Sequence, residues 1–561
     1  MCSRRFPARA HAKGKMYKGD TVDLRIDHVT QLFLDNLLIE SVQDLTRRMH
    51  QPRKVEGGPF LTADQPWELV SYFSCNTDNV LWDPQERLFK CWYTDWQFNP
   101  TEFGLRPVSF HNPRVMRFRL LYAYSSDGIH WTKPALGLVR EGGRDTNVVL
   151  GADEYGSFWS GTVFIDPFAT DPARRFKLVY DRVFTSGAFG DETATATREN
   201  RLASSPDGIH WTVEEQTLRC GERGQLFDDV IVMTTDPAAR QYVAFTRHAH
   251  RGSAAANPRT PRTGSFIGPF YPNDPSRASL RRVWAAESSD LFNWTEPYLV
   301  LRPDDEEDSL DDGFYGLVPL KVGSHYVGLL NVLHGVENTM DVQLVHSRDR
   351  RAWQRAGKRQ PFLPRGAPGS WDETMVTVES IPIPMGDELW IFYGGAKNHH
   401  DWWFQGTLER LDVPEAKDLA AVRYGLGLAK LRRDGFVSLQ ALPVREGILV
   451  TKPVISDGTQ LVINAACGPK GYVDIEVTDV ADELLPGFSR AECDRFTGDR
   501  IRHVVAWQGR TDIPALAPVE NRQFSTRRLG WPFAPAGHRK LRFYLRDAHL
   551  YSFAFERPSL A

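Results

Sequence analysis

Carboxylates recur just ahead of apolar runs in this chain: Asp78 in CNTDNVLW, Asp228 and Asp229 in LFDDVIVM, Asp311 and Asp312 in LDDGFY, Asp372 and Glu373 in WDETMVTV. One comparable run, FWSGTVFI, begins with Trp159 and Ser160 instead. After each, a second apolar run ends in acids, bases or aromatics: Asp95–Trp96, Asp181–Arg182, Arg247–His248, His334, and Lys397 with His399 and His400. A single aspartate before a strand is ordinary, because its side chain bonds its own backbone. A converging set behaves differently. Crowded carboxylates repel, which holds one protonated beside an ionised neighbour, and such a pair is what breaking a glycosidic bond requires. Trp96, Trp159, Trp402 and Trp403 add flat faces of the kind on which sugars stack.

Convergence needs a scaffold, and repeats supply one. SSDGIHWTKP (from Ser125) returns as SSPDGIHWTVE (from Ser204) and as SSDLFNWTEP (from Ser288). Ahead of each copy lies the same order of apolar strand, Asp-Pro turn and second strand, with Asp83, Asp166 and Asp236 at the turns. Two further units follow the pattern with other turn residues, the last closing in YGLGLAKLRRDGFVSL. Asp127, Asp207, Asp290, Asp349 and Asp434 mark the units at intervals of about 60 to 85 residues. Two hairpins per unit, five times over, predict an all-β five-bladed β-propeller. The innermost strand of a blade starts at one mouth of the central channel and the second strand ends there. The residues named above therefore share a mouth, and the Asp-Pro turns occupy the opposite one. The repeated Asp-Gly supplies positive φ for a tight outer turn, and Trp131, Trp211 and Trp294 are expected between neighbouring blades. Helical signal is confined to a turn or two around Pro414 to Leu419.

Beyond Leu442 the pattern changes to ILVTKPVISDGTQLVINAACGPKGYVDIEVTD and ends in HRKLRFYLRDAHLYSFAFE, short strands that predict an appended C-terminal β-sandwich. The expected organisation is a disordered tail over 1–20, an N-terminal segment over 21–63 packing on the propeller, the propeller over 64–445 and the sandwich over 446–561.

Five repeats, mouth carboxylates and a trailing sandwich together resemble the five-bladed propeller glycoside hydrolases of families 32, 43, 62 and 68, and especially bacterial family-32-like proteins. The segments carrying the likeness are QLFLDNLLIE, the PWE of Pro66 to Glu68, YAYSSDGIHWTKPALGL and the C-terminal GFSRAECDRFTGD, VAWQG and LRFYLRDAHLYSF. The resemblance implies a nucleophile or base from blade one, a transition-state-stabilising Asp from blade two and a general acid Glu from blade three. Blade one offers Asp78, within NTDNVLWDP rather than the family-32 NDPNG. Blade two offers Asp181, and blade three has Asp229 where Glu is expected; the nearest Glu at a strand start is Glu373. The catalytic candidates are thus Asp78 as nucleophile or base and Asp229 or Glu373 as acid. Trp96, Trp159, Asp181, Arg182, Arg247, Asp312, His334 and Lys397 are the substrate-binding candidates, with Arg182, Arg247 and His334 gripping hydroxyls.

Composition narrows the partners. Lys plus Arg (68) nearly balances Asp plus Glu (71), which leaves no field to draw a nucleic acid. No apolar run reaches the roughly eighteen residues of a membrane helix. The six cysteines lack CxxC spacing, so no zinc site is signalled, and close histidines in RHAHR and KNHHD do not by themselves make a metal site. The expected partner is a carbohydrate, with no cofactor and no metal; a homo-oligomer is allowed, and a cytoplasmic location follows from the missing apolar leader. Two rival functions remain. A phosphorylase on the same propeller would use Arg247, His248, Lys397 and His399 for phosphate, and a non-catalytic sugar-binding propeller would need no carboxyl pair. A sialidase ranks below both, because its box places a residue between Asp and Gly that SSDGIHW lacks.

Overall fold

The repeated Ser-x-Asp phrase forms the same turn at four places in the computed structural model. The model describes residues 24–98, 116–151, 156–185, 196–221, 227, 230–247, 281–304, 306–309, 311–400, 402–403, 412–514 and 537–558. In the first copy Ser125 Oγ accepts the N–H groups of Asp127 and Gly128 at 3.2 and 2.8 Å, and Asp127 Oδ1 accepts those of Ile129 and His130 at 2.9 and 2.8 Å. Ser205 with Asp207, Ser288 with Asp290, and Ser347 with Asp349 repeat the arrangement. The following residue is left-handed each time: Gly128 and Gly208 at φ 74° and 83°, but Leu291 and Arg350 at 69° and 67°. Side-chain oxygens that satisfy three or four turn N–H groups hold even these non-glycine residues in a conformation that costs about 1 kcal/mol or more.

Each turn docks on a neighbouring sheet. Gly128 lies against Trp390 and Phe392, and Trp131 meets Phe392 edge-on at 5.9 Å. Trp92 donates its indole N–H to Gly208 O at 2.6 Å. Leu291 and Trp294 share a buried cluster with Val179 and Leu202, and Trp353 meets Phe245 edge-on at 6.0 Å. The repeated tryptophans thus belong to packing between sheets. The Asp-Pro turns have a second use besides capping their own backbone: Asp83 binds Arg175, Asp166 accepts from Tyr242 at 2.9 Å and Asp236 binds Arg350 at 2.7 Å, each reaching the next sheet.

The described residues fall into two compact units. In the larger, Arg48–Val437, the strands make five successive antiparallel meanders. The first strands are Asp78–Asp83, Gly156–Ile165, Ile231–Asp236, Asp312–Val322 and Met375–Thr377. Their antiparallel partners are Leu88–Phe98, Phe176–Thr185, Gln241–Arg247, His325–His334 and Glu388–Ala396. A single parallel bridge, Met340 with Met375, merges the last two meanders into one hydrogen-bonded sheet. Arg53–Lys54 and Leu61–Thr62 complete the last meander by pairing with Tyr424–Arg432. The first strands and their flanks touch in cyclic order. Gly161 N donates to Asn76 O at 3.3 Å, Thr162 Oγ1 donates to Ile231 O, and Val230 abuts Gly316. Asn331 exchanges two 3.0 Å hydrogen bonds with Val378, and Val80 N donates to Ser380 Oγ at 2.7 Å, which returns the circuit to the first sheet.

The smaller unit joins the described residues up to Arg47 with those from Ser438 onward. Its long strands Gln460–Thr478 and Lys540–Glu556 pair antiparallel, and Gln31–Leu32 pairs with Ser552–Phe553. Alternating inward residues, Leu461, Ile463, Ile475, Leu541, Phe543 and Phe553 among them, build its core around fully buried Trp507. Within GFSRAEC the Ser489 and Glu492 side chains bond at 2.7 Å, shaping the turn that precedes Cys493. The structure is almost wholly β, with a short helix at Pro414–Lys417 and a 3-10 turn at Leu419–Ala421.

A β-carbon on Gly208 would stand 2.4 Å from Trp92 Cζ2, whereas one on Gly137, also left-handed at φ 70°, would meet open space. Gly208→Ala is therefore expected to cost about 2–4 kcal/mol, and Gly137→Ala about 1 kcal/mol. Urea unfolding of the two variants measures this, and equal losses would show that the turn does not pack as described.

Candidate functional site

The first strand of the first sheet is interrupted. Tyr72 pairs with Thr94 and Asp78 pairs with the adjacent Tyr93, so five residues, Phe73 to Thr77, are looped out between neighbouring partners. Cys75 and Asn76 inside this loop are left-handed, at φ 57° and 66°. Thr77 Oγ1 ties the loop by donating toward Tyr72 O and Ser74 O. Strain of this kind persists where the surroundings over-determine it.

The loop leads into Asp78, the buried first residue of the Asp78–Asp83 strand. Facing it is Glu379, which follows the Met375–Thr377 strand of the fifth sheet. Asp78 is 3% exposed and Glu379 2%. Among the described residues Asp78 Oδ1 and Glu379 Oε2 have no partner of hydrogen-bonding geometry, and the Asn331 amide approaches Glu379 Oε1 at 3.4 Å. Burial pushes the Asp78 carboxyl up. Burial, then the negative charge of Asp78, pushes Glu379 well above the usual carboxylate range, against a smaller opposing pull from Thr377 and the N–H groups of Asn76 and Cys75. Two buried acids that each resist ionising, and resist it more when the other is charged, form an acid beside a potential base.

A second cluster adjoins this pair through Cys75. His400 Nδ1 lies 3.3 Å from Tyr72 Oη and 3.7 Å from Cys75 Sγ, and its ring meets Tyr315 edge-on at 4.9 Å. The guanidinium groups of Arg247 and Arg281 lie over Tyr315 at 4.4 and 4.5 Å. Burial first, then these two cations, drives the His400 pKa far down and keeps the ring neutral. Burial and the charge of Glu379 push the Cys75 thiol up to about 12, so it is no nucleophile at neutral pH. Trp96 stacks on Tyr72 at 4.4 Å and neighbours Trp159 at 5.7 Å and Trp403 at 5.5 Å.

The residues expected at the mouth separate into groups. Asp78, Arg247, Trp96 and Trp159 belong to the continuous cluster just described, with both tryptophans buried among other aromatics. Asp181 is fully buried opposite Ser160 and Asn200, and the half-buried Arg182 pairs with Glu199 at 3.6 Å. Asp312 and His334 are occupied with each other at 2.7 Å, and His334 Nε2 also meets Asp341 at 3.0 Å. Glu373 is partly exposed and accepts the Gly369 N–H at 2.8 Å, while its neighbour Asp372 is bound to Lys54 and Tyr393. Lys397 is exposed. Asp228, Asp229 and His248 lie outside the described residues. Sequence reasoning missed Glu379, Arg281, Tyr72 and Cys75. A signal for Glu379 was present: it is the only charged residue between Met375 and Met385, in MVTVESIPIPM.

No family model and no curated protein matches the chain in sequence. Solved structures similar to it include a β-1,2-mannobiose phosphorylase from Listeria innocua bound to β-1,2-mannobiose, at TM-score 0.41 and 15% identity over 68% of this chain and 97% of that one. An N-acetylgalactosamine deacetylase from F. plautii, in complex with blood group B trisaccharide, is similar at 0.40 and 13% over 70% and 97%. A thermostable family-43 glycoside hydrolase is similar at 0.39 and 14% over 67% and 95%.

Burial opposes protonation of His334, but Asp312 and Asp341 outweigh it and raise the pKa from 6.5 to about 10. A group protonated more readily when folded contributes stability that is complete below pH 6.5 and is lost as pH rises through 10. Wild type is expected to lose stability relative to His334→Asn over that window. Denaturant midpoints measured between pH 6 and 10 report it, and parallel profiles would refute the bracketed imidazolium.

Proposed function

We propose that this chain is a glycoside hydrolase whose Arg48–Val437 unit is a five-bladed β-propeller, followed by a C-terminal β-sandwich, and that it cleaves a glycosidic bond with carboxyls in the central funnel. The cyclic contacts among first strands and the single-meander repeat support the propeller. The observation that carries the chemistry is the burial of both Asp78 and Glu379, each with a carboxyl oxygen that no described residue hydrogen-bonds. A carboxyl that stays protonated at neutral pH can deliver its proton to the glycosidic oxygen, and its ionised partner can attack the anomeric carbon or take a proton from water. Glu379 then fills the acid role for which the sequence suggested Asp229 or Glu373, with Asp78 as nucleophile or base. The mouth tryptophans and Asp181 fall to substrate placement, and the substrate is a furanoside or other small glycoside.

The cationic pair over Tyr315 favours a second reading, a glycoside phosphorylase in which Arg247 and Arg281 draw inorganic phosphate to the anomeric carbon in place of water.

Turnover of aryl furanosides and pyranosides, with and without phosphate, separates the two. Asp78→Asn and Glu379→Gln are each expected to lower kcat by about 10²- to 10⁴-fold with little change in KM, and Glu373→Gln by less than about threefold. Loss of activity in Glu373→Gln with retention in Glu379→Gln would return the acid to Glu373. Turnover only with phosphate would select the phosphorylase, and no turnover of any glycoside would sink both.

A further inference from the structure

At the opposite end of the first strands, where the Asp-Pro turns lie, is a cavity of ≈ 400 Å³. Val80, Trp82, Phe164, Val232 and Ile383 form apolar walls from four of the five sheets. Its rim reaches exposed Pro84 and Pro384, and its inner end is closed by the buried Asn79 and Glu379. Both carry an oxygen without a hydrogen-bond partner, Asn79 Oδ1 and Glu379 Oε2. An apolar chamber of this size with a few polar groups at one end is the usual form of a small-molecule site.

The chemistry of the inner end selects the ligand. Asn79 Oδ1 accepts, and Glu379 Oε2 accepts once its carboxyl is ionised, so a donating ligand that also favours ionisation satisfies both. Among the described residues neither Glu379 nor Asp78 is in an ion pair, so no cation beside them favours the ionised form, and a ligand bearing positive charge would supply one. A bare divalent cation fits poorly, because it calls for six or more oxygens and the walls are hydrocarbon and aromatic. An organic ammonium meets both demands, with its N–H groups toward Glu379 and Asn79 and its apolar body along Trp82 and Phe164.

We propose that this end of the channel binds a small hydrophobic amine, an alkyl- or arylalkyl-ammonium, with Glu379 and Asn79 as its polar anchors. Binding does not depend on the catalytic reading. The consequence for turnover does: an ammonium would hold Glu379 ionised and remove the proton that the acid delivers, so the amine would inhibit.

Calorimetric titration of the full chain with 2-phenylethylamine at neutral pH, against its isostere 2-phenylethanol, tests the site. The amine is expected to bind at least about tenfold more tightly than the alcohol. Val232→Phe and Ile383→Phe, which fill the chamber without touching the carboxyls, are each expected to weaken it by about tenfold or more. Circular dichroism identifies which blocking variant keeps its fold, and either one suffices. No binding of the amine, equal affinity for the alcohol, or undiminished affinity in a folded blocking variant overturns the proposal. Binding without inhibition upholds the site and removes Glu379 from the acid role, so the two ideas fail separately.

Discussion

Closure of the ring of meanders is the constraint on which the larger unit depends. A row of antiparallel sheets laid side by side has two unpaired ends, and an exposed edge is both unsatisfied and sticky. Here the segments at 53–54 and 61–62 complete the sheet formed by residues near 424–432, so strands from the two ends of the unit lie in one meander. Lys54 reinforces this by reaching Asp372 at the entry to the fifth first strand, with its ammonium over the Tyr393 ring. The bond between Val80 and Ser380 then ties this last sheet to the first. The last sheet is therefore completed from the early chain and tied to the first.

Closing the ring crowds the starts of the first strands, and the local polar groups have to be answered there. Most carboxylates are. Asp83 has Arg175 and Lys90, which overcome its burial and hold it down to about 2. Asp95 has Arg119, which offsets part of a burial that still raises it to about 6, and Asp312 shares His334 with Asp341. Such pairs are structural: each charge is neutralised where it sits. Asp78 and Glu379 differ, being buried together with no ion-pair partner among the described residues. Such a cost of desolvation and repulsion is the feature on which the proposed catalytic role of these two carboxyls rests.

The repeat was legible because its physics is local. A Ser, an Asp two residues on and a left-handed residue after it make the same hydrogen bonds wherever they occur, and the flanking apolar runs announce the hairpins. The first strands were also legible, including the interrupted one that carries Asp78. Glu379 was not read, although Glu373 six residues earlier was. At Met375 the strand begins in earnest, Glu373 remains at its partly exposed approach, and Glu379 reaches the axis after a break in pairing that alternation alone does not reveal. Trp96 and Trp159 were picked out from their places along the strands, but their packing against Tyr72, Phe118 and Trp403 depends on which sheets become neighbours.

What the sequence by itself determined is the set of short-range devices: Asp-capped turns, Asp-Pro corners, alternating strands and their recurrence along the chain. These depend on residues two to four positions apart, so a linear reading reaches them. Only the tertiary structure decided which acids keep a partner. Asp312 meets His334 across 22 positions, Lys54 meets Asp372 across 318, and Glu379 faces Asp78 across a similar span. Whether a carboxylate is a neutralised strut or a buried, reactive acid is set by the dielectric and the charges around it, and those come from chain brought in from far away.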